Sequence, residues 1–489
     1  MTKLVYNDLY PEIESSMSNS NIGAMRKKNI RNHLFLVYGI INSVVRGESE
    51  SVDIQIFDLK KCFDALWLED VMNDLHDSLP SSDQTDKLAL IYKANFENLV
   101  SVKTAVGQTQ RKNLPQIVMQ GGSWGPLQCS NSIDKIGKMC ETDREHLYTY
   151  KKIVKVPVLG MVDDMLAIST CGQDSLSLNT FINTHVELKK LEFHTPDSKG
   201  KPKCHKLHVN TSMMQVLEDT YLGDVVRVDG KNSSNIQNRV AKGLGIISKI
   251  MNILETVSFG KSYFKIALSL REAHFLNGIL SNSDVWYGVT KTEVEEIESV
   301  DRLLLRRILS VPESTCTEAL YLETGCVNIG TILKGKRIKY LHYLVNHDKN
   351  STLCKFFKAQ WDHPVGGDWV VQCKQDLEDF GLPEVLENFE GKSKESVKKL
   401  VNKKSMEYAL EKFLKIKIKH SKMDNLSYYE LKMQDYLKLD QFTVEENKLI
   451  LLWRLRMATH LNNVHFVRNT VILRKIASSN VKKFKRGSK

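Results

Sequence analysis

The sequence of 489 residues has no long apolar run, no closely paired cysteines and no internal repeat of fixed period. Because about 18 consecutive apolar residues are needed to cross a bilayer, we expect no membrane span. The N-terminal stretch MTKLVYNDLYPEIESS has early acidic residues and lacks the apolar segment of a secretory signal. The nine cysteines include no CxxC pair, so we expect reduced thiols in a protein that is not secreted.

A zinc site has little support. Cys204, His205 and His208 in CHKLH are residue types that zinc prefers, but no second pair of ligands accompanies them.

Hydrophobic residues make up 42% and charged residues 26% of the chain, which is typical of a folded globular protein. The length predicts roughly three domains.

The positive charge is unevenly distributed. Residues 391–489 contain 24 Lys/Arg and 9 Asp/Glu, a net charge of +15, whereas the whole chain carries +11. The preceding residues therefore carry a net −4. This asymmetry favours a C-terminal region that faces nucleic acid. The alternative interpretation is a set of solvated helical faces.

Two adjacent carboxylates interrupt an apolar hairpin. In VPVLGMVDDMLAIST, residues 156–170, apolar residues precede Gly160 and resume at Met165, and Asp163 and Asp164 lie between them. β-Branched and aliphatic residues predict a strand on each side. Carboxylates among apolar strands are costly unless a positive charge neutralises them. The alternative is a solvated turn, because Asp is common in turns.

A third carboxylate ends an earlier strand. Val52, Ile54 and Ile56 alternate with polar residues, so VDIQIFD predicts a strand that ends at Asp58. The helical spacing of apolar residues in LWLEDVMNDLHDSL places this carboxylate where a strand passes into a helix. A Gly-rich turn, QGGSWGP at 120–126, follows, and glycines let a backbone approach another molecule closely.

The order of the predicted elements indicates an α+β fold. Strands and helices alternate up to about residue 230, where YLGDVVRVDG predicts a hairpin after the lysine-rich turn SKGKPKCHKLHVN. A βαββαβ order is typical of an antiparallel sheet backed by helices. From about residue 235 the pattern is almost wholly helical, and HPVGGDW near residues 364–369 is the best candidate for a linker.

These motifs, in this order, resemble the reverse transcriptase domain of non-LTR (LINE-type) retrotransposons. FDLKKCFDALW is similar to the first palm motif, QGGSWGPLQCSNSI to the Gly-rich second, MVDD to the third, KCHKLHV to the fourth and YLGDVV to the primer-grip hairpin. The resemblance covers about residues 15–230 and is weaker over the helical remainder. It implies an RNA-directed DNA polymerase with template RNA, a DNA primer and dNTPs as partners.

The resemblance also implies a right-hand polymerase architecture. The palm would be an antiparallel sheet backed by helices. The predicted domains are partial fingers at 1–50, the palm with its primer-grip hairpin at 51–230, a helical thumb and connection at 231–362, and a basic helical C-terminal region at 363–489. A ribonucleoprotein in the nucleus or cytoplasm is the expected setting.

The resemblance assigns a metal role to the three carboxylates. Asp58, Asp163 and Asp164 would hold two Mg²⁺ ions, with Asp164 as the secondary ligand, and the carbonyl of Leu59 would complete one metal shell. Mg²⁺ binds carboxylate oxygens and substrate phosphates. Two such ions about 4 Å apart stabilise the attacking and leaving oxygens in nucleotidyl transfer. Lys203 would neutralise or protonate the leaving pyrophosphate; the alternative is a solvated lysine, because Lys199, Lys201 and Lys206 compete for that role.

Further positions would contact the substrates. Phe63 falls where the family places an aromatic residue that blocks a ribose 2′-OH; the alternative is a core aromatic. Gln120 and Gly121 would lie against the nucleotide and template. The primer grip would be formed by Tyr221, Leu222 and Gly223. Nucleic-acid binding by the basic region would involve Lys412, Lys415, Lys417, Lys419, Lys482, Lys483, Lys485 and Arg486.

The chain departs from the family pattern at several positions. Met119 replaces the usual Arg before the Gln-Gly pair, Trp124 intervenes in the Gly-rich motif, and Met161 replaces the usual aromatic before the Asp pair. These changes affect nucleotide fit and primer packing rather than metal binding. The expected upstream fingers, an apurinic-type endonuclease and a CCHC knuckle have no counterpart, so we expect a piece of a longer element protein.

Two rival functions remain open. A decayed or co-opted fragment would bind nucleic acid without catalysis. An RNA-dependent RNA polymerase would share the palm, but Phe63 argues against it.

Overall fold

The structure is a computed structural model of the chain. It describes residues 2–454 apart from 19, 27, 60, 80–83, 97–98, 114–123, 143–145, 171, 192–204, 207–213, 258–261, 385, 418–427 and 439–442. Contacts divide the chain into two units. The first unit comprises Met1–Asn232, Val285–Gly288 and Tyr343–Gln372, and the second comprises Ser233–Asp284, Val289–His342 and Cys373–Lys489.

Helices account for most of the regular structure. The α-helices are α1 Thr2–Ser16, α2 Ile30–Val45, α3 Cys62–Ala65, α4 Leu68–Asp77, α5 Thr85–Phe96, α6 Gly125–Thr142, α7 Gln173–Leu188, α8 Ser233–Thr256, α9 Tyr263–Leu270, α10 Asn277–Ile279, α11 Lys291–Leu309, α12 Thr317–Thr324, α13 Ile329–Val345, α14 Thr352–Asp362, α15 Trp369–Asp379, α16 Lys394–Lys417, α17 Asp435–Lys438 and α18 Val444–Arg454. Arg271–Leu276 is a π-helical turn between α9 and α10. Among the described helices, none is both long enough and apolar enough to cross a membrane.

The strands are short and lie in the first unit. They are β1 Val52–Asp58, β2 Leu99–Val100, β3 Lys103–Thr104, β4 Gly107–Gln108, β5 Lys112–Asn113, β6 Thr149–Tyr150, β7 Val154–Lys155, β8 Leu159–Met161, β9 Asp164–Thr170, β10 His205–Lys206, β11 Met214–Gln215, β12 Glu218–Tyr221 and β13 Asp224–Arg227. The predicted strand ending at Asp58 and the predicted hairpin near residue 221 are confirmed.

The main sheet has the strand order β11-β10-β1-β9-β8. β1 and β9 pair antiparallel over their full length, from Val52 opposite Thr170 to Asp58 opposite Asp164. The sheet is therefore largely antiparallel, as predicted. The exception is the edge pair β10–β11, which is parallel. The structure is thus a mixed α/β fold with more helix than sheet.

Two helices pack on this sheet, and a third packs on one of them, because their apolar residues recur at helical spacing. α6 contacts β8, α7 contacts β9, and α4 contacts α6. Side chains such as Phe57 and Met165 from the strands and Val71, Leu127 and Ile182 from the helices share one buried core. Burying each such side chain contributes about 1.5–3 kcal/mol, so this core fixes the end of β1 relative to β9.

The predicted linker near residues 364–369 is wrong. Trp369 is fully buried, and its ring meets the Phe35 ring edge-on with centroids 5.4 Å apart. The buried carboxylate of Asp368 accepts hydrogen bonds from the Asn42 amide at 2.8 Å and from the Val365 backbone amide at 2.8 Å. Glycines and a proline suggested an exposed connection. Instead, a tryptophan anchors the segment inside the first unit.

The second unit is helical over its described residues. The mainly helical pattern predicted from about residue 235 is confirmed over the described residues, with α8 packed on α11 and α12 on α16. α11 begins with a capping box in which Thr290 and Glu293 satisfy each other's backbone amides. The π-helical turn lies between α9 and α10, and in it Arg271 forms a buried ion pair with Asp301 at 2.6 Å.

Candidate active site

Three aspartates meet at one end of the main sheet. Asp58 is the last residue of β1 and lies opposite Asp164, the first residue of β9, in the antiparallel register. Asp163 lies in the two-residue turn that joins β8 to β9, because Met161 pairs with Asp164. Directly opposite residues project to the same face of a sheet, so the register brings together side chains that are more than a hundred residues apart. All three carboxylates are half-buried.

The turn that carries Asp163 has an unusual backbone. Val162 has a φ of +58°, a left-handed conformation that β-branched residues rarely adopt. Such a conformation persists only where the surrounding structure imposes it. It breaks the alternation of the strand and lets Asp163 and Asp164 approach one place.

A segment near the N-terminus packs against this turn. Ile22 donates a backbone hydrogen bond to the Gly160 carbonyl at 2.9 Å, and the Asn21 amide group donates to the Ser130 carbonyl at 2.9 Å. A Cβ on Gly23 would lie 2.5 Å from the Val162 nitrogen. The segment therefore lies along β8 and leaves no space for a side chain at Gly23.

The carboxylates influence one another. Burial first, and then the negative charges of Asp163 and Asp58, raise the pKa of Asp164 to about 6. The Asp163 charge also contributes to the raised pKa of Cys129 in α6, after the hydrogen bond to Cys62 and burial. The Cys62 and Cys129 sulfurs lie 2.9 Å apart. Cys129, in the second turn of α6, is therefore close enough to Asp163 to be affected by its charge.

The arrangement of side chains does not form a closed metal cage. Within the part of the chain that the structure describes, no group of three or more His, Cys, Asp or Glu residues is arranged to hold a metal ion. Mg²⁺ commonly uses only one or two protein carboxylates and completes its shell with water and substrate phosphates. The carboxylates of the aspartates therefore fit a Mg²⁺ ion whose remaining ligands are water and substrate phosphates.

The residues that follow Asp58 pack into the core. The Leu59 side chain is 1% exposed. Lys61 has a φ of +50° and precedes the short helix α3. Phe63, in α3, is half-buried and packs against the core of the first unit. This contact agrees with the core-aromatic interpretation and leaves the gate prediction for Phe63 open.

The predicted primer-grip residues form the hairpin β12–β13. Tyr221 pairs with Asp224, and Leu222 and Gly223 both have positive φ, +48° and +83°. A two-residue loop with two positive φ angles matches the twist of paired strands. Burial first, and then the charge of Asp164, raise the pKa of Tyr221 well above its usual value. The loop end of the hairpin, where Tyr221 pairs with Asp224, is therefore near the carboxylates.

His33 holds this hairpin, and no motif in the sequence predicted that role. His33 lies in α2, is 2% exposed, and its Nδ1 is 3.1 Å from the Tyr221 hydroxyl. Its Nε2 is 2.8 Å from the Ser20 carbonyl. Because a carbonyl only accepts, Nε2 carries the proton of the neutral ring and Nδ1 accepts from Tyr221. The only signal in the sequence was a histidine on an otherwise apolar helical face.

Asp224 was also missed. It is fully buried and accepts hydrogen bonds from the Tyr38 hydroxyl at 3.0 Å and the Trp286 indole nitrogen at 2.8 Å. These contacts bind the hairpin to α2 and to Val285–Gly288 within the first unit. No local pattern links positions so far apart in the chain.

Several predicted residues lie outside the described residues. These are Gln120, Gly121, Lys203, Lys419, Lys482, Lys483, Lys485 and Arg486. Lys412 and Lys415 are exposed on α16, and Lys415 forms an ion pair with Glu411 at 2.6 Å. Lys417 is the last residue of that helix.

No protein-family model and no curated protein matches the chain. Similar solved structures include apo telomerase from Candida tropicalis, with 14% identity over 82% of this chain and 61% of that chain and a TM-score of 0.39. Telomerase from Candida albicans in complex with the TWJ fragment of telomeric RNA has 15% identity over 82% of this chain and 57% of that chain, with a TM-score of 0.38. The chain thus spans less than two thirds of these telomerases. Such similarity is too low to define the fold or function of this chain.

Proposed function

We propose that the chain is an RNA-directed DNA polymerase of the non-LTR retrotransposon type. It would extend a DNA primer on an RNA template with dNTPs, as part of a ribonucleoprotein in the nucleus or cytoplasm. The sheet end with the three aspartates would belong to the palm. Residues 1–50 would contribute the fingers, and the helices after residue 230 would contribute the thumb and the basic C-terminal region.

One observation carries this proposal. The antiparallel register places Asp58 opposite Asp164, with Asp163 in the adjoining turn. Template-directed nucleotidyl transfer needs carboxylates from distant parts of the sequence at one place, beside a site open to the substrate. The motif order in the sequence predicted this meeting, and the register supports it.

Two Mg²⁺ ions are the proposed cofactors. Asp58 and Asp163 would be the main ligands and Asp164 the secondary one, together with the Leu59 carbonyl. The ions would stabilise charge on the attacking and leaving oxygens. Their positive charge would also offset the mutual repulsion of three carboxylates in a half-buried place. The chain itself would hold these carboxylates in position through the β1–β9 pairing and the Val162 turn.

The hairpin β12–β13 is the proposed primer grip. Tyr221 and Asp224 form the pair that adjoins its loop, with Tyr221 near Asp164, and Leu222 and Gly223 form the loop. His33 and Asp224 hold this loop end of the hairpin against α2. A primer that contacts the tip would therefore be positioned relative to the aspartates by a rigid element.

A primer-extension assay on poly-rA/oligo-dT with Mg²⁺ tests the proposal. The chain should incorporate dTTP, and Asp58→Asn should abolish incorporation. Asp64→Asn is the matched control, because Asp64 is exposed on α3 and close in sequence. Incorporation that is unchanged in Asp58→Asn would contradict the polymerase assignment.

A second function has a specific observation in its favour. The region from residue 391 carries a net +15, whereas the rest of the chain carries −4. A nucleic-acid-binding protein without catalysis would show this charge distribution. It would bind RNA with strong salt dependence and extend no primer under any metal condition.

A further inference from the structure

The four short strands β2 to β5 form one antiparallel hairpin, residues 99–113, which we call the basic hairpin. β2 pairs with β5, and β3 pairs with β4 next to the turn. Every residue from Val102 to Lys112 is exposed. Val102 is 59% exposed, and Val106, in the turn, is 99% exposed. Since side chains alternate between the two faces of a strand, both faces of this part of the hairpin are accessible.

Internal hydrogen bonds fix the shape of the basic hairpin. The Val102 amide donates to the Thr109 hydroxyl at 2.9 Å, and the Thr109 amide donates to the Val102 carbonyl at 3.0 Å. The Gln108 side-chain amide donates to the Ser101 hydroxyl at 2.6 Å. These contacts join the two strands without using a charged side chain. A two-stranded hairpin is only marginally stable alone in water, so a partner that packs against it would stabilise it.

The charge of the basic hairpin is all of one sign. Lys103, Arg111 and Lys112 carry +3, and the sequence has no Asp or Glu between Glu97 and Asp134. All three basic side chains are exposed. Over the described part of the chain, none of the three forms an ion pair with an acid. Their charge is therefore available to an anionic partner.

The basic residues are spaced along the hairpin from its turn. Lys103 is next to Thr104, which pairs with Gly107 at the turn. Lys112 pairs with Val100, four residues along the first strand from Thr104. At about 3.3 Å per residue, Lys112 lies about 13 Å from the turn along the hairpin. The major groove of B-form DNA is about 12 Å wide and about 8.5 Å deep and admits a two-stranded ribbon. With the turn in the groove, Lys112 would lie at the level of the phosphates on its rim.

Other forms of nucleic acid fit this hairpin less well. Proteins that bind single strands stack the bases on aromatic side chains. Residues 99–113 contain no Phe, Tyr, Trp or His. The A-form helix of double-stranded RNA has a deep, narrow major groove that side chains cannot read, and an RNA–DNA hybrid has A-form geometry. Duplex DNA is therefore the partner that the shape and composition favour.

We propose that the basic hairpin is a binding site for double-stranded DNA. Its turn, Ala105 and Val106, enters the major groove, where an apolar side chain can contact a thymine methyl group. Lys103, Arg111 and Lys112 neutralise phosphates and release their counterions. The inference goes beyond the proposed function, whose partners are template RNA and a DNA primer, and it does not depend on the three aspartates.

The first test removes charge far from the turn, with Arg111→Gln and Lys112→Gln together in the full chain. Labelled duplex DNA, double-stranded RNA, an RNA–DNA hybrid and single-stranded DNA are titrated at several salt concentrations. For duplex DNA, the slope of log affinity against log salt should decrease by about 1 for each phosphate that is no longer neutralised. The affinity for duplex DNA should fall on the order of ten-fold at low salt. The affinity for the other three ligands should change much less.

The second test concerns the turn. Val106→Glu places a carboxylate there, and it removes no core packing because Val106 is 99% exposed. The parent should protect guanine N7, which faces the major groove, from methylation by dimethyl sulfate. Val106→Glu should lose this protection and bind duplex DNA more weakly. Val106→Thr is the matched control, because it keeps the shape and adds no charge, and it should retain both. Thermal unfolding should be the same in all three proteins.

The charge control is Lys403→Gln with Lys404→Gln on α16. These lysines contact Glu407, at 3.8 and 3.2 Å. The control removes the same formal charge as the first test, and it should change the affinity for duplex DNA much less.

Several outcomes would overturn the inference. These are a parent chain that binds no duplex DNA, equal affinity and slope in the parent and the Arg111 and Lys112 variant, and an equal decrease in the charge control. An equal decrease for all four ligands would identify a general anion-binding surface instead. Guanine protection that persists in Val106→Glu would show that the turn does not enter the groove. If duplex DNA binds through the hairpin but no primer is extended, only the polymerase assignment fails.

Discussion

The Tyr221 hydroxyl lies 3.1 Å from Nδ1 of His33, and this contact joins the hairpin β12–β13 to helix α2. The other ring nitrogen of His33 contacts the Ser20 carbonyl at 2.8 Å. The backbone amide of Gly160, in β8, also donates to the Ser20 carbonyl, at 3.2 Å. One buried imidazole therefore connects the hairpin with the segment that supports the turn of Asp163.

Burial of His33 predicts a specific pH dependence of stability. Burial lowers the pKa of His33 to about 3, whereas an unfolded histidine has a pKa near 6.5. Between these values the unfolded chain binds a proton that the folded chain does not. The free energy of unfolding therefore falls as the pH drops below about 6.5, and the loss continues towards pH 3.

The measurement is urea unfolding of the parent and of His33→Asn at pH 7 and pH 5. The parent should lose more stability than the variant between these values, because only the parent carries the buried imidazole. Carboxylate protonation acts on both proteins and cancels in the difference. An equal loss in both proteins would show that His33 titrates normally in the folded chain.

Asp163→Asn should abolish primer extension and leave RNA binding intact. It removes a proposed metal ligand with almost no change in size, and metal-assisted transfer depends on charge stabilisation. We expect at least a factor of about 10² in rate. Extension is measured over a range of Mg²⁺ concentrations, and RNA affinity is measured in parallel. Near-parental extension would remove Asp163 from the metal site.

The close packing of Gly23 predicts that a single methyl group disturbs the candidate site. A Cβ there would lie 2.3 Å from the Ser130 hydroxyl and 2.5 Å from the Val162 nitrogen. Gly23→Ala should therefore displace the turn, lower the extension rate and destabilise the first unit. Gly137→Ala is the matched control, since a Cβ in that part of α6 meets nothing within 4 Å and alanine favours a helix. An active, stable Gly23→Ala protein would mean that the segment does not support the turn.

Local patterns predicted the strands well, because alternation and apolar runs specify them. The period-two pattern ending at Asp58 and the apolar flanks of Asp163 gave both halves of the candidate site. Local patterns could not predict the buried polar contacts. His33 and Asp224 acquire their partners only when distant segments pack, so no spacing in the sequence marks them.

The proline and glycines near residue 366 led to the wrong prediction of a linker at this place. Turn-forming residues predict an exposed connection because they favour turns. Here Trp369, two residues after Gly367, is fully buried and overrides that tendency. Burial of a large aromatic side chain is worth more than the local preference.

Phe63→Val tests the proposed gate against core packing. If the ring blocks a ribose 2′-OH, the variant should incorporate ribonucleotides and lose little activity with dNTPs. The structure adds a second expectation, since Phe63 packs against the core and its truncation should cost on the order of 1 kcal/mol. Competition between rNTPs and dNTPs in the extension assay, with thermal unfolding alongside, separates the effects. A destabilised variant that still rejects rNTPs would identify Phe63 as a packing residue only.

The basic helix α16 is best tested by charge changes, because its removal would open the second unit. Phe413 in this helix stacks on Tyr321 with ring centroids 5.2 Å apart, so a truncation near residue 391 would expose core. Lys412→Gln with Lys415→Gln should weaken RNA binding and reduce its salt slope by about 1 for each phosphate that is no longer neutralised. Lys415 pairs with Glu411 at 2.6 Å, and binding must compete with that pair, so Lys412 should contribute more. Single variants titrated at two salt concentrations decide this order. If neither substitution changes the slope, the positive charge of this part of α16 is solvated surface and phosphate contacts lie elsewhere on the chain.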